Sequence, residues 1–166
     1  SDCEYEIKPI TTKGDTDTRP LFTIEQKGIF EKEIDKAVAA KEIDFAVHSL
    51  KDVPSELADN LIIASIPKRE KVNDVFISSD DSSLDKIKPG SVIGTSSLRR
   101  AVQISRQRSD VTVKPIRGNI ETRINKASGE NYDAIVLAQA GISRLGVDVN
   151  FTPLSVDDFS PSPGQG

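Results

Sequence analysis

The sequence predicts an α/β protein with mostly parallel strands, and three observations carry that reading. From residue 92 on, strand-like and helix-like stretches alternate one for one. The strand-like stretches are continuous apolar runs, as expected of strands covered on both faces. A chain of 166 residues, 36% hydrophobic and 29% charged, has the make-up of a globular protein with a real core.

Taken in order, residues 5–10 alternate like a strand, and residues 14–20 form a polar, turn-rich loop with Asp15, Asp17 and Pro20. Phe30, Ile34, Ala37 and Val38 recur at helical spacing opposite Glu31, Lys32, Asp35 and Lys36, which predicts a helix over residues 28–41. Residues 43–47 read as a short buried strand running into His48-Ser49-Leu50-Lys51-Asp52, with Pro54 limiting its continuation. Residues 61–66 read as another strand, and the charged break Lys68-Arg69-Glu70-Lys71 as a hinge. Then follow strand 75–77, strand 92–93, helix 97–107 with Leu98, Ala101, Val102 and Ser105 inward, and strand 111–116. Helix 119–127, with Ile120, Ile124 and Ala127 inward, and strand 134–138 complete the series. Ligands of such sheets sit outside the carboxyl ends of the strands.

The composition excludes several function classes. A net charge of −4, with no aromatic residues interleaved among the basic ones, argues against nucleic-acid binding. No apolar run approaches the roughly 20 residues of a membrane-spanning helix, and residues 1–25 lack the pattern of a signal peptide. Cys3 is the single cysteine and His48 the single histidine, so no internal disulfide and no metal-ligand cluster is expected. Cys3 is given no nucleophilic role, and a cytoplasmic location is expected. With no methionine anywhere, the chain is expected to be a processed product, an excised fragment or an incomplete record.

Charge is concentrated locally. Residues 99–123 carry Arg99, Arg100, Arg106, Arg108, Lys114, Arg117 and Arg123 against Asp110 and Glu121. Gly94-Thr95-Ser96-Ser97-Leu98-Arg99-Arg100 follows a strand and opens a helix, gathering N–H groups, hydroxyls and two guanidinium groups at the positive end of a helix dipole. Arg117-Gly118-Asn119, with Arg123 beyond it, repeats the arrangement after the next strand. Guanidinium forks grip carboxylates in bidentate fashion, so a small, multiply anionic ligand fits. A solvated basic helix face, with Ser96 and Ser97 as plain caps, is the competing explanation. Lys51 and Asp52 pair an ammonium with a carboxylate, and His48 reads more readily as structural than as catalytic.

Together the motifs resemble the porphobilinogen deaminase (hydroxymethylbilane synthase) family. The resemblance rests on Ala46 through Pro54, Gly94 through Arg100, Arg117-Gly118-Asn119 with Thr122-Arg123, Tyr132 through Ala138, Ala140-Gly141 with Arg144-Leu145-Gly146, and Pro163-Gly164-Gln165-Gly166. It implies two lobes of the periplasmic-binding-protein type II kind, with mixed, mostly parallel sheets covered by helices and a cleft between the lobes. It also implies a cytoplasmic transferase of tetrapyrrole and haem biosynthesis that joins four porphobilinogen units head to tail, releases ammonia, and works on a covalent dipyrromethane cofactor. Asp52 matches the family's catalytic aspartate, which stabilises the cation left when ammonia departs. Arg99, Arg100, Arg117, Arg123 and Arg144 match arginines that hold acetate and propionate groups. Thr95, Ser97, Ser49 and Lys51 match cofactor contacts, and Lys27 matches a cleft lysine.

Against that family pattern the chain lacks an opening strand and helix with a further substrate arginine, and the later domain bearing the cofactor cysteine. Ile24-Glu25-Gln26-Lys27 stands where a Gly-Gly pair usually precedes the lysine, and Thr23 where many members carry a second lysine. The expected organisation is an incomplete first domain over 1–67, a hinge at 68–72, a second domain over 73–161 and a returning segment at 162–166. The 166 residues alone are expected to be inactive and monomeric, with no nucleic-acid or membrane partner. The rival reading is a non-catalytic module that holds a polycarboxylate or phosphate.

Overall fold

A computed structural model describes residues 4–13, 31–127, 129 and 131–166. Their contacts divide into two units, one with described residues 4–13 and 31–67, the other Lys68–Gly166.

In the first unit, α1 (Lys32–Ala39) buries Ala37 and half-buries Ile34 and Val38, the apolar face its spacing predicts. The chain leaves it through Lys41, whose φ of 59° is left-handed and ends the helix. The forward part of the expected helix, residues 28–30, lies outside the described residues, as does the expected loop at 14–20. Three sequence expectations fail in this unit. Residues 5–10, 43–47 and 61–66 join no ladder among the described residues, and Tyr5, Ile7, Phe45, Val47, Ile62 and Ile66 are each at least two-thirds exposed. Their apolar patterns suit strands, but a strand needs a neighbour to take up its N–H and C=O groups.

The second unit is built on one five-stranded sheet, in the order β3-β2-β4-β1-β5. Its strands are β1 (Asp74–Ser78), β2 (Val92–Gly94), β3 (Thr112–Lys114), β4 (Ala134–Ala138) and β5 (Thr152–Pro153). β2 runs parallel to β3 and β4, whereas β1 runs antiparallel to β4 and β5. The sheet is therefore evenly mixed rather than mostly parallel. Alternate residues of β1 and β4 feed two cores. Phe76, Ala134 and Val136 pack with Ile93, Ile104, Leu154 and Phe159 on one face; Val75, Ile77, Ile135 and Leu137 pack with Ile116, Ala127 and Ile142 on the other. Helix α2 (Leu98–Gln107) covers the first face, while α3 (Ile120–Ala127) and α4 (Gln139–Leu145) cover the second.

α3 buries Ala127 and half-buries Ile120 and Ile124, as its spacing predicts. α2 does not follow its predicted face. Arg100 and Ile104 are buried, whereas Leu98 and Val102 are more than half exposed. A buried carboxylate beneath the helix turns the arginine inward, and apolar periodicity carries no record of that.

Candidate anion-binding site

The antiparallel course of β1 creates the site's setting. Asp74 opens β1 opposite Ala138, the last residue of β4, so a strand start lies beside the carboxyl end of a parallel strand. The loop after β2 reaches the same edge. Gly94 is closely packed: a Cβ there would stand 3.0–3.2 Å from side-chain atoms of Tyr132, Ile135 and Ile116. Thr95 N–H donates to the Lys114 carbonyl at 2.9 Å, and the Ser96 hydroxyl donates to the Ile116 carbonyl at 2.6 Å, which pins the loop to the chain leaving β3. Ser97 is the N-cap of α2, its hydroxyl accepting from Arg100 N–H at 3.5 Å. The Thr95 hydroxyl accepts from Ser97 N–H at 3.2 Å. Ser96 and Ser97 thus each carry a structural hydrogen bond, as the competing explanation allowed.

Two arginines leave the first turn of α2 and meet one carboxylate. Arg100 donates to Asp74 Oδ1 from Nε at 3.1 Å and from Nη2 at 2.6 Å, and to the Val136 carbonyl from Nη1 at 3.2 Å. Arg99 donates from Nη2 to Asp74 Oδ2 at 2.7 Å and from Nη1 to the Ser160 carbonyl. Asp74 is fully buried, and the side chain of Arg99 is 25% exposed. Burial alone would push the Asp74 carboxyl up. The charge of Arg100, with hydrogen bonds from Arg100, Gln165 and Arg99, overrides that and holds it below the ordinary carboxylate value.

Three further arginines were expected here. Arg117 and Arg123 flank Gly118, whose φ of +121° suits only glycine, and Arg123 Nε donates to the Gly118 carbonyl at 2.6 Å. Asn119 Oδ1 accepts from Thr122 N–H at 2.8 Å and so caps α3. Burial, then the positive charge of Arg100 and of Arg117, lowers the Arg123 guanidinium from its ordinary value. Arg123 therefore lies within the field of both Arg100 and Arg117, and Asp74 receives the two arginines of α2. Arg144 stands exposed on the last turn of α4. Arg106 is exposed, and Arg108 is bound to the carbonyls of Leu84 and Ile87 and to Asp110.

In the first unit Ser49, Lys51 and Asp52 lie on a turn in which Asp52 N–H donates to the Ser49 carbonyl at 2.9 Å. No ladder strand precedes it, contrary to the expected setting. Ser49 and Asp52 are exposed, and His48 Nε2 is buried without a hydrogen-bond partner among the described residues. The carboxyl of Glu31 is raised, by burial first and by the charge of Asp52 and Asp35, with its own N–H and His48 opposing. Lys27 lies outside the described residues. Among the described residues no three His, Cys, Asp or Glu side chains group as metal ligands, and no helix is long and apolar enough to cross a membrane.

Sequence reasoning missed Asp74 and gave Gln165 no role. Gln165 is 1% exposed and donates from Nε2 to the Val72 carbonyl at 2.7 Å and to Asp74 Oδ1 at 2.9 Å. Arg69 Nε in turn donates to the Gln165 carbonyl at 2.8 Å. The signal for Asp74 was present: a charged residue opening a strand covered on both faces requires a partner.

The family model described as "porphobilinogen deaminase, dipyromethane cofactor binding domain" matches residues 1–166. The chain belongs to the porphobilinogen deaminase family. It is 85% identical over 165 residues to a probable porphobilinogen deaminase of Nitrosopumilus maritimus, covering 99% of this chain and 53% of that protein. It is 52% identical over 159 residues to the porphobilinogen deaminase of Listeria innocua, covering 95% and 51%, and 47% identical over 169 residues to a probable one of Pyrobaculum islandicum, covering 99% and 56%. The chain thus spans about half the length of these relatives. Dipyromethane is the cofactor of the matched domain, as the sequence resemblance implied. The donor set suits its carboxylate side chains: convergent guanidinium groups supply more positive charge than the single carboxylate of Asp74 offsets.

Proposed function

We propose that this chain forms the dipyromethane- and substrate-binding part of a cytoplasmic porphobilinogen deaminase, a transferase that joins four porphobilinogen units head to tail with release of ammonia. The observation that carries the reading is the meeting of Arg99 and Arg100 on Asp74 at the start of α2, with Arg123 in the field of Arg100 and Arg117, in a chain matched to the cofactor-binding domain. In this reading the two-lobed, periplasmic-binding-protein-like architecture and the boundaries at residues 67, 72 and 161 are the family's.

Arg99, Arg117, Arg123 and Arg144 bind acetate and propionate groups by bidentate hydrogen bonds, and Arg100 adds its charge from beneath. Thr95, Ser97, Ser49, Lys51 and Lys27 supply further polar contacts. Dipyromethane, when bound, supplies the pyrrole terminus onto which each new unit is joined. Asp52, an exposed carboxylate on a tight turn, stabilises the positive charge that develops on the substrate as ammonia leaves. The small-molecule substrate is then the partner, and the protein works as a monomer.

The test is tetrapyrrole formation from porphobilinogen by the full-length protein that contains this chain, with Asp52→Ala beside it. The expected result is turnover in the parent and its loss in a variant with an unchanged melt. A parent that binds the polycarboxylate without turnover favours the non-catalytic module.

A further inference from the structure

One carboxylate governs the arginine pair at the start of α2. Asp74 Oδ2 takes Arg99, and Oδ1 takes two nitrogens of Arg100 together with Gln165 Nε2. We propose that Asp74 is a positioning residue of the binding face: it fixes the plane and spacing of the Arg99 and Arg100 guanidiniums and sets how much of their charge reaches the ligand, while Gln165 holds Asp74 in place. This rests on the reading that the face binds pyrrole carboxylates.

Asp74 itself touches no ligand, because it is fully buried. The Arg100 side chain is 8% exposed and has its fork closed on Asp74 and on Val136. Arg99 spends one nitrogen on Asp74 and another on Ser160, but its side chain is 25% exposed and so keeps a solvent-facing part. The pair therefore presents one guanidinium edge, in a fixed direction, with about half its charge compensated from below. Two unrestrained arginines repel each other and lose that direction, and a bidentate grip depends on it. The tether extends to the start of the second unit: Gln165 also binds the Val72 carbonyl and is bound by Arg69 through its own carbonyl. Among the described residues its Oε1 is buried without a hydrogen-bond partner, whereas its nitrogen donates twice.

The experiment uses the full-length protein containing this chain, with Asp74→Asn, Arg99→Gln, the double variant and Gln165→Met. Two readouts are taken on protein still folded at the assay temperature: KM and kcat for porphobilinogen, and phenylglyoxal modification of Arg99 and Arg100 mapped by peptide mass. Asp74→Asn is expected to raise KM about tenfold and to make both arginines more reactive. The double variant is expected to be no worse than Arg99→Gln, because Asp74 acts largely through Arg99. Gln165→Met, which keeps both ion pairs, is expected to fold and to raise KM about two- to threefold, which keeps the proposal testable if Asp74→Asn does not fold. Unchanged KM and unchanged arginine reactivity in a folded variant overturn the proposal, as do KM effects that multiply in the double variant. If the parent consumes no porphobilinogen, the function reading fails and the reactivity of Arg99 and Arg100 still decides the positioning role.

Discussion

Arg100 holds a single oxygen of Asp74 with two of its nitrogens, at 3.1 and 2.6 Å, inside the core of the second unit. The pair joins the start of β1 to the first turn of α2, and it explains why α2 buries an arginine while leaving Leu98 and Val102 in water.

Removing one member leaves the other charged and buried. Arg100→Leu is expected to lower the stability of the second unit by about 3–5 kcal/mol, against about 1 kcal/mol for the partly exposed Arg99→Leu. Urea denaturation followed by far-ultraviolet circular dichroism checks the order; equal losses would mean that Arg100 is not the buried partner.

Acid should act through Asp74. Its carboxyl is held below the ordinary value in the folded protein, so the unfolded chain binds the proton first as pH falls. The stability it contributes is present in full above about pH 4 and is lost as pH falls through the folded value. Stability curves between pH 2 and 6 should therefore show a steep acid limb that Asp74→Asn flattens.

Glu31 has the opposite sign. Burial and the charges of Asp52 and Asp35 raise its carboxyl, so its ionised form costs stability at neutral pH and the cost fades as pH falls through the raised value. Glu31→Gln is expected to raise the melting temperature of the first unit at pH 7 and to change it little at pH 4. An equal effect at both pH values would contradict this.

Gly118 ties backbone to site. A Cβ there would stand 2.6 Å from Thr122 Cγ2, at a φ of +121°, beside the carbonyl that receives Arg123. Gly118→Ala is expected to cost about 1–3 kcal/mol and to weaken polycarboxylate binding with it, as read by calorimetry and a melt.

Much of the second unit was legible because its signals are local. β4 forms over the continuous apolar run at 134–138, and α3 buries the face that Ile120, Ile124 and Ala127 mark. The loop from Gly94 to Ser97 and the turn at Gly118 were legible for the same reason: glycine and capping residues act where they stand. The direction of β1 was not legible, since an apolar run reads the same for either course, and with it went the meeting of Asp74 with Arg99 and Arg100. That contact joins residues about 25 apart and depends on the sheet. The strands expected in residues 5–10, 43–47 and 61–66 show the limit from the other side: pattern marks a segment fit for a ladder, and a neighbour makes the ladder.

The central claim is that the strand-end arginines form a specific site for a pyrrole polycarboxylate. The most direct measurement compares the affinity for porphobilinogen of Arg117→Leu with that of Arg106→Leu, at one ionic strength, in the full-length protein. Both changes remove one positive charge, but Arg106 is an exposed residue in the last turn of α2, whereas Arg117 lies in the field that lowers Arg123. The account predicts a loss of about tenfold or more for Arg117→Leu and almost none for Arg106→Leu. Equal weakening by both would show a diffuse basic field in place of a site.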